Sequence, residues 1–207
     1  MNNLATQFYL ASASPRRAEL LSQMGYRFEC LSVDVDESVI ADESPIEFVK
    51  RLALTKVLAG VEQAAERPLP VIGADTAIYC DGDILCKPDN RQDAARMLEM
   101  LSDNTHKVYT AVAICTSGEN HVLLNESEVT MRPITSDEIA QYWKTGEPCD
   151  KAAGYAIQGL AAAFIMNIRG SYSGIMGLPL FETVELLKKY HIASPLQNGL
   201  SEAEFNK

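Results

Sequence analysis

The chain has 207 residues, 47% of them hydrophobic and 22% charged, with a net charge of −10 at pH 7. That length fits one substantial core, in one lobe or two, and does not fit two large independent domains. The acidic balance argues against non-specific nucleic-acid binding, and neither a membrane-span-length apolar run nor a basic-then-apolar targeting segment is present.

Residues 2–7 read as a lead-in to a buried strand, Phe8-Tyr9-Leu10-Ala11. Ser12-Ala13-Ser14-Pro15-Arg16-Arg17 then opens a helix, with Ser14 as N-cap and Pro15 at the first helical position, where a missing amide costs nothing. Leu20, Leu21 and Met24 give its apolar face and Gly25 ends it. Arg16 and Arg17 oppose the macrodipole in the first turn, among N–H groups with no helical partner. Two readings stand: an anion such as phosphate docks there, or the arginines are solvated and offset an acidic surface. Phe28 to Val33 reads as a second strand, followed by the carboxylates of Asp34, Asp36 and Glu37. Ser44-Pro45-Ile46-Glu47 is a capping box opening a helix to about Gly60, with Val49, Leu52, Ala53 and Val57 inward. Lys56 lies at the border of that face, where a lysine either snorkels to water or is held toward a cleft.

Val71 to Cys80 reads as a strand carrying Asp75 and Thr76 at its middle. Asp81-Gly82 turns the chain back through Ile84-Leu85-Cys86 to Lys87-Pro88. Asn90 caps a helix with Ala94, Met97, Leu98 and Leu101 as its buried stripe. Val108 to Cys115 and a segment ending near Met131 read as strands. Thr135 and Glu138 form a second capping box, ahead of Ile139, Tyr142 and Trp143. Gly146 to Gly159 is polar and irregular, more suited to a site than to a core. Ala161 to Ile168 reads as a strand, Gly170 to Gly174 as a loop, Gly177-Leu178-Pro179-Leu180 as the start of a last helix, and residues after Ser194 as a loosely held tail. Interspersed strands and helices with a hairpin predict an α/β protein whose central twisted sheet is mixed, with helices on both sides.

Asp75, inside Val-Ile-Gly-Ala-Asp-Thr-Ala-Ile, is the sharpest chemical clue, because a charge in that apolar setting is costly without a partner or a task. It is either a strand-end carboxylate satisfied by amides, or a metal ligand or general base. Asp36 and Glu37 are weaker candidate metal ligands, since carboxylates after a strand are commonly solvated. Lys87 is placed to reach a phosphate or is merely exposed. The five cysteines are scattered, odd in number and in no CxxC, which points to a reducing cytoplasm and against structural zinc. His106, His121 and His191 sit in no catalytic constellation, and no phosphate loop or GxGxxG occurs. A bound-water mechanism fits best, with carboxylates holding a divalent cation and Arg16, Arg17, Lys56 and Lys87 stabilising a polyphosphate.

Taken together, Leu10 through Arg17, Asp36-Glu37, Lys56, Gly73-Ala74-Asp75-Thr76, Lys87-Pro88, Thr110-Ala111-Val112, Glu147-Pro148, Asp150-Lys151-Ala152, Tyr155-Ala156-Ile157-Gln158-Gly159 and Gly177-Leu178-Pro179-Leu180 resemble the Maf family of nucleoside triphosphate pyrophosphatases. The resemblance implies a single two-lobed Maf/ITPase-like domain over residues 1–207, with a cleft between the lobes, a core of about 8–190 and a tail over 195–207. It implies a cytoplasmic, homodimeric enzyme dependent on a divalent metal (Mg²⁺, Mn²⁺ or Co²⁺), which splits nucleoside triphosphates between the α and β phosphates. Its subgroup with Ala-Asp-Thr and Ile-Gln-Gly acts on dTTP, UTP and some modified pyrimidine nucleotides; the 7-methyl-GTP subgroup has Asp-Gln and a tryptophan in the first motif, both absent here. Carried over by position, Asp75 is the catalytic carboxylate, as general base or as holder of the metal that activates water, and Glu37 helps hold the metal. Ser12, Ser14, Arg16, Lys56 and Lys87 face the phosphates; Arg17 joins them or is structural, and Thr76 and Gln158 lie beside the base. Nucleic acid and membrane are not expected as partners. A terminal-phosphate hydrolase and a nucleotide-binding regulator linked to septum formation are the alternative readings. Three departures bear on substrate preference: Cys86 before Lys87-Pro88 where Gly or Glu is common, Ala153-Gly154 in reversed order, and Ala161-Ala162 in place of a glycine pair.

Overall fold

The computed structural model describes residues 5–116 and 118–194. Its regular elements are β1 (Phe8–Ala11), α1 (Pro15–Gln23), β2 (Phe28–Leu31), α2 (Pro45–Gln63), β3 (Val71–Cys80), β4 (Asp83–Leu85), α3 (Arg91–Leu101), β5 (Thr105–Thr116), β6 (Glu119–Met131), α4 (Ser136–Lys144), β7 (Ile165–Arg169), α5 (Tyr172–Met176) and α6 (Leu180–Lys189). Three 3₁₀ turns, Glu147–Asp150, Ala152–Gly154 and Leu160–Phe164, carry the chain from α4 to β7. The strands form one sheet in the order β2-β1-β3-β5-β6-β7, with β4 on β3. β1 runs parallel to β2 and β3, while β3, β5, β6 and β7 pair antiparallel. The sheet is therefore mixed, as the interspersed pattern predicts.

β3 organises the molecule. It begins among Tyr9, Val49, Ala53 and Val57 through its odd-numbered residues, and among Leu10, Leu21 and Leu187 through Ile72 and Ala74. It ends in a third cluster, where Ile78 and Cys80 pack with Leu98, Val129, Tyr142 and Phe164. Asp75 and Thr76 lie between these cores, and alternation along a strand turns them to opposite faces. Register is fixed by pairs from Val71↔Cys115 to Tyr79↔Lys107, with Thr76 opposite Thr110.

Local signals account for most boundaries. Both capping boxes are present, at Ser44 with Glu47 and at Thr135 with Glu138, and the Asn90 side chain accepts from the N–H of Gln92 and Asp93. Helix α2 lies close on β3: a Cβ on Gly73 would come 2.9 Å from Val57 Cγ2 and 3.1 Å from the Ala53 carbonyl oxygen. Differences from the sequence reading are specific. β2 stops at Leu31, short of Val33, and α2 runs on to Gln63. The expected strand over Ala161 to Ile168 is a 3₁₀ turn as far as Phe164, because the Glu147 carboxylate accepts from the N–H of Leu160 and Ala161 and diverts the backbone from a ladder. The expected Gly170–Gly174 loop gives way to the short helix α5, started by Ser171 Oγ accepting from Gly174 N at 3.0 Å. The tail over 195–207 lies outside the described residues.

Candidate active site

A cleft of about 530 Å³ opens where β1 ends and β3 passes between the cores. Its size suits a nucleotide-scale ligand. One side is the β1–α1 junction. Ser12, buried at the end of β1, accepts through Oγ from Ser14 N (3.1 Å) and Arg17 Nη1 (3.3 Å). Ser14 occupies the N-cap with Pro15 next to it, yet its hydroxyl makes no capping bond. The first-turn N–H groups of α1 are thus left without a side-chain acceptor from their own cap. Arg17 donates from Nε to the Gly177 carbonyl (2.7 Å) and from Nη2 to Thr76 Oγ1 (3.4 Å). It forms no ion pair among the described residues, and desolvation pulls its pKa below the ordinary value against the attraction of Asp75. Arg16 lines the cleft with Nη1 3.9 Å from an Asp150 carboxylate oxygen.

The second feature is a chain of alternating charges. Lys56 Nζ projects from α2 and donates to Asp75 Oδ1 at 2.6 Å. It lies 2.6 Å from Glu37 Oε1 as well, while Glu37 Oε2 accepts from Lys87 Nζ at 3.3 Å. Lys56 and Asp75 are buried, whereas the Glu37 and Lys87 side chains are 44% and 61% exposed, so the chain runs from the protein interior to solvent. Desolvation raises the Asp75 pKa; Lys56 and Arg17 oppose that shift without cancelling it. At Glu37 burial again pushes upward, but hydrogen bonding and charge from Lys56 and then Lys87 outweigh it, and the carboxyl stays below its ordinary value.

Gln158, Asp150, Lys151 and Tyr155 come from the segment between α4 and β7 and complete the wall. Tyr155 is buried, and its hydroxyl meets His106 Nε2 at 2.7 Å. His106 is 1% exposed, and desolvation drops its pKa to about 4, so it is neutral at physiological pH. The family model described as Maf-like protein matches residues 7–190. The chain belongs to the Maf family.

Relatives agree. A protein of Saccharophagus degradans is 46% identical over 190 residues, covering 91% of this chain and 90% of its own. One from Aromatoleum aromaticum is 48% identical over 202 residues (92% and 98%), and one from Alkalilimnicola ehrlichii 49% identical over 188 residues (89% and 93%). All three are named dTTP/UTP pyrophosphatase. Among solved structures, the Staphylococcus aureus Ham1 protein aligns with a TM-score of 0.42 at 14% identity, over 60% of this chain and 71% of that one, a likeness too loose to argue from.

In this Maf-family chain, every residue carried over from the family pattern lies on the one cleft: Ser12, Ser14, Arg16, Arg17, Glu37, Lys56, Asp75, Thr76, Lys87 and Gln158. The cleft divides them. Asp75, Lys56, Glu37 and Lys87 form one chain of charges, and Arg17, Ser12 and Thr76 one hydrogen-bonded set. Gln158 stands exposed on the cleft, in the segment between α4 and β7. Lys56 does not snorkel to water: Asp75 and Glu37 hold its ammonium inward. Asp36 is exposed and accepts from Ser38 N (2.9 Å) and Ser38 Oγ (2.6 Å), which makes it a turn former away from the cleft. Cys86 lines the cleft, with a thiol pKa raised by desolvation and by Asp75 and Glu37. Tyr155, Gly177 and Glu147 stand in the stretches that carry the family resemblance, but no site role of their own is expected from the sequence; the signal available for Glu147 is its place twelve residues before the glycine at 159.

No group of three or more His, Cys, Asp or Glu side chains among the described residues forms a metal cage. The donor set does fit a hard divalent cation bound jointly with substrate: two carboxylates, Asp75 and Glu37, already converge on one ammonium. Magnesium-type ions use one or two carboxylates and take the remaining ligands from phosphates and water.

Proposed function

We propose that this protein hydrolyses pyrimidine nucleoside triphosphates, dTTP and UTP and modified forms of them, to the nucleoside monophosphate and pyrophosphate. The observation that carries this reading is the placement of the buried Asp75 carboxylate at the inner end of a charge chain through Lys56, Glu37 and Lys87, on a cleft that also holds Arg16, Arg17 and an open helix N-terminus. Such a cluster gives a polyanion its counter-charges and gives a water molecule a base.

Lys56, Lys87 and Arg16 bind the triphosphate and neutralise charge on the departing pyrophosphate, and Ser12 and Ser14 donate to it. Arg17 supports the same anion while fixing Ser12 and Thr76. Asp75 orients the attacking water and accepts its proton, for which its desolvated carboxylate is suited, or it shares with Glu37 the holding of the metal. The new bond joins water oxygen to the α phosphorus, and the broken bond releases the β,γ unit as pyrophosphate. A divalent cation held by Asp75 and Glu37 supplies Lewis acidity and water activation when bound. Thr76 and Gln158 lie on the base side, where an amide offers both a donor and an acceptor to a pyrimidine edge. The names of the relatives support the pyrimidine assignment. We extend the reading to a homodimer in the cytoplasm, as the family resemblance implies; the five free cysteines suit a reducing compartment.

The test is incubation with dTTP, UTP, CTP, GTP, ATP and 7-methyl-GTP, with Mg²⁺ or Mn²⁺ and again with chelator, with pyrophosphate and orthophosphate measured separately. Metal-dependent pyrophosphate from dTTP and UTP is expected. Orthophosphate alone would mean terminal-phosphate removal, and tight nucleotide binding with no product would mean a regulator.

A further inference from the structure

Glu147 does not line the cleft, yet it joins the two segments that carry the lining residues Asp150, Lys151 and Gln158. It starts the 3₁₀ turn Glu147–Asp150, which leads into Asp150, Lys151 and Ala152 of the wall. Its carboxylate reaches across to the far end of the next segment. Oε2 accepts from Leu160 N at 2.9 Å, and Oε1 accepts from Ala161 N at 3.3 Å and from Tyr142 Oη at 2.7 Å. The 3₁₀ turn Leu160–Phe164 has no cap from its own N-cap residue, Gly159, so Glu147 satisfies those amides from outside. The fit is tight enough to exclude a side chain at 159, where a Cβ would lie 2.3 Å from Glu147 Oε1. Tyr142 is the donor in its bond, because burial and then the Glu147 carboxylate push its pKa up from the ordinary phenol value.

Gln158 is two residues before Leu160 and immediately before Gly159. Its side chain is exposed on the cleft and makes no hydrogen bond to a described residue, so its position depends on the backbone that carries it. That backbone is held on one side by Gly159 N donating to Ala156 O (3.0 Å) and on the other by the Glu147 clamp.

We propose that Glu147 is a positioning residue for nucleobase selection, which acts through Gln158 by clamping the amides of Leu160 and Ala161. The inference rests on Gln158 reading the base, as set out above. A clamp on the base side alters how a pyrimidine is held and leaves the charges around Asp75 in place.

The test compares Glu147→Ala, Gln158→Ala and the double variant, by kcat and KM for UTP and CTP, alongside thermal unfolding. Loss of charge-assisted hydrogen bonds of this kind is expected to raise the KM for UTP about tenfold and to narrow the UTP-over-CTP preference, with kcat changed much less. Because Glu147 acts through Gln158, the double variant should match Gln158→Ala alone. If Glu147→Ala folds poorly, Glu147→Asp, one methylene too short to span all three donors, carries the same comparison. A fall in melting temperature with preference and KM unchanged would overturn the proposal, as would fully additive effects in the double variant. If Gln158→Ala itself left KM and preference unchanged, the assignment of Gln158 to the base would fall instead.

Discussion

His106 gives a prediction whose size follows from burial. Its ordinary pKa is 6.5 and its folded value about 4, the cause being desolvation in the core beside Tyr155. The folded pKa is depressed, so the unfolded chain takes up this proton first as pH falls. Stability is undiminished above the unfolded value and is lost between pH 6.5 and 4. A gap of that width corresponds to about 3 kcal/mol once the fall is complete, of which about 2 kcal/mol is reached by pH 5. For a chain of this size that is a drop of about 4–8 °C in melting temperature at pH 5 from this residue alone. Other groups titrate in the same range, so the measurement is a difference: unfolding of the wild type and of His106→Gln in urea at pH 7.5, 6, 5 and 4.5. The wild type should lose about 2 kcal/mol more than the variant between pH 7.5 and 5. Parallel curves, or an imidazole resonance of folded His106 titrating near its ordinary value, would refute the reasoning. Tyr155 shares the bond and lines the cleft, so the protonation state of His106 is felt at one residue of the cleft lining.

Asp75→Asn should keep the fold and lower turnover by at least about a hundredfold, read as pyrophosphate release from UTP, because both roles proposed for Asp75, proton acceptor and metal holder, need a carboxylate. Lys56→Met leaves Asp75 buried without its ammonium, which raises the carboxyl pKa further. That variant should gain stability as pH falls toward the unfolded carboxyl value near ~4 and lose it as pH rises, a trend visible in melting temperatures between pH 5 and 8. Gly73→Ala would press a methyl against Val57 and the Ala53 carbonyl; a cost of about 1–3 kcal/mol is expected, with weakened activity because Lys56 shifts with its helix. Chelation should abolish product formation while leaving the melting temperature within a degree or so, since no cage of described residues depends on a metal.

Elements specified by neighbouring residues were legible in the sequence. The box at Ser44, the box at Thr135, the Asn90 cap and the apolar stripe of α3 are all local, and each has the predicted partner or burial. β3 was legible with both ends, and so was the oddity of Asp75 within it. What failed to show involves partners distant in sequence. Nothing near Leu160 announces that a carboxylate from residue 147 will cap it, so an apolar run there resembles a strand. Lys56 sits on the edge of an amphipathic helix, and only Asp75, on another element, settles which way it turns. Ser14 looks like an ordinary cap, but Ser12 takes its N–H and its own hydroxyl stays out of the helix. Ser171 was hidden differently: the glycines on either side read as loop and mask its capping of α5.

The two sides of the cleft differ in how they are made. Asp75 and Thr76 belong to a ten-residue strand paired in register along its length, and Lys56 to a nineteen-residue helix pressed onto it. The facing wall hangs on 3₁₀ turns, with Ala153 and Gly154 both at positive φ, joined by a few side-chain bonds. Substitution at the wall's exposed positions, Gln158 above all, can therefore reshape it without disturbing the strand and helix, whereas Ala153, Tyr155 and Ala161 pack into the core that β3 enters. A lineage built on this scaffold is free to change the nucleotide it accepts while keeping the reaction it performs, and directed evolution aimed at a new base should begin at the exposed positions between residues 146 and 161.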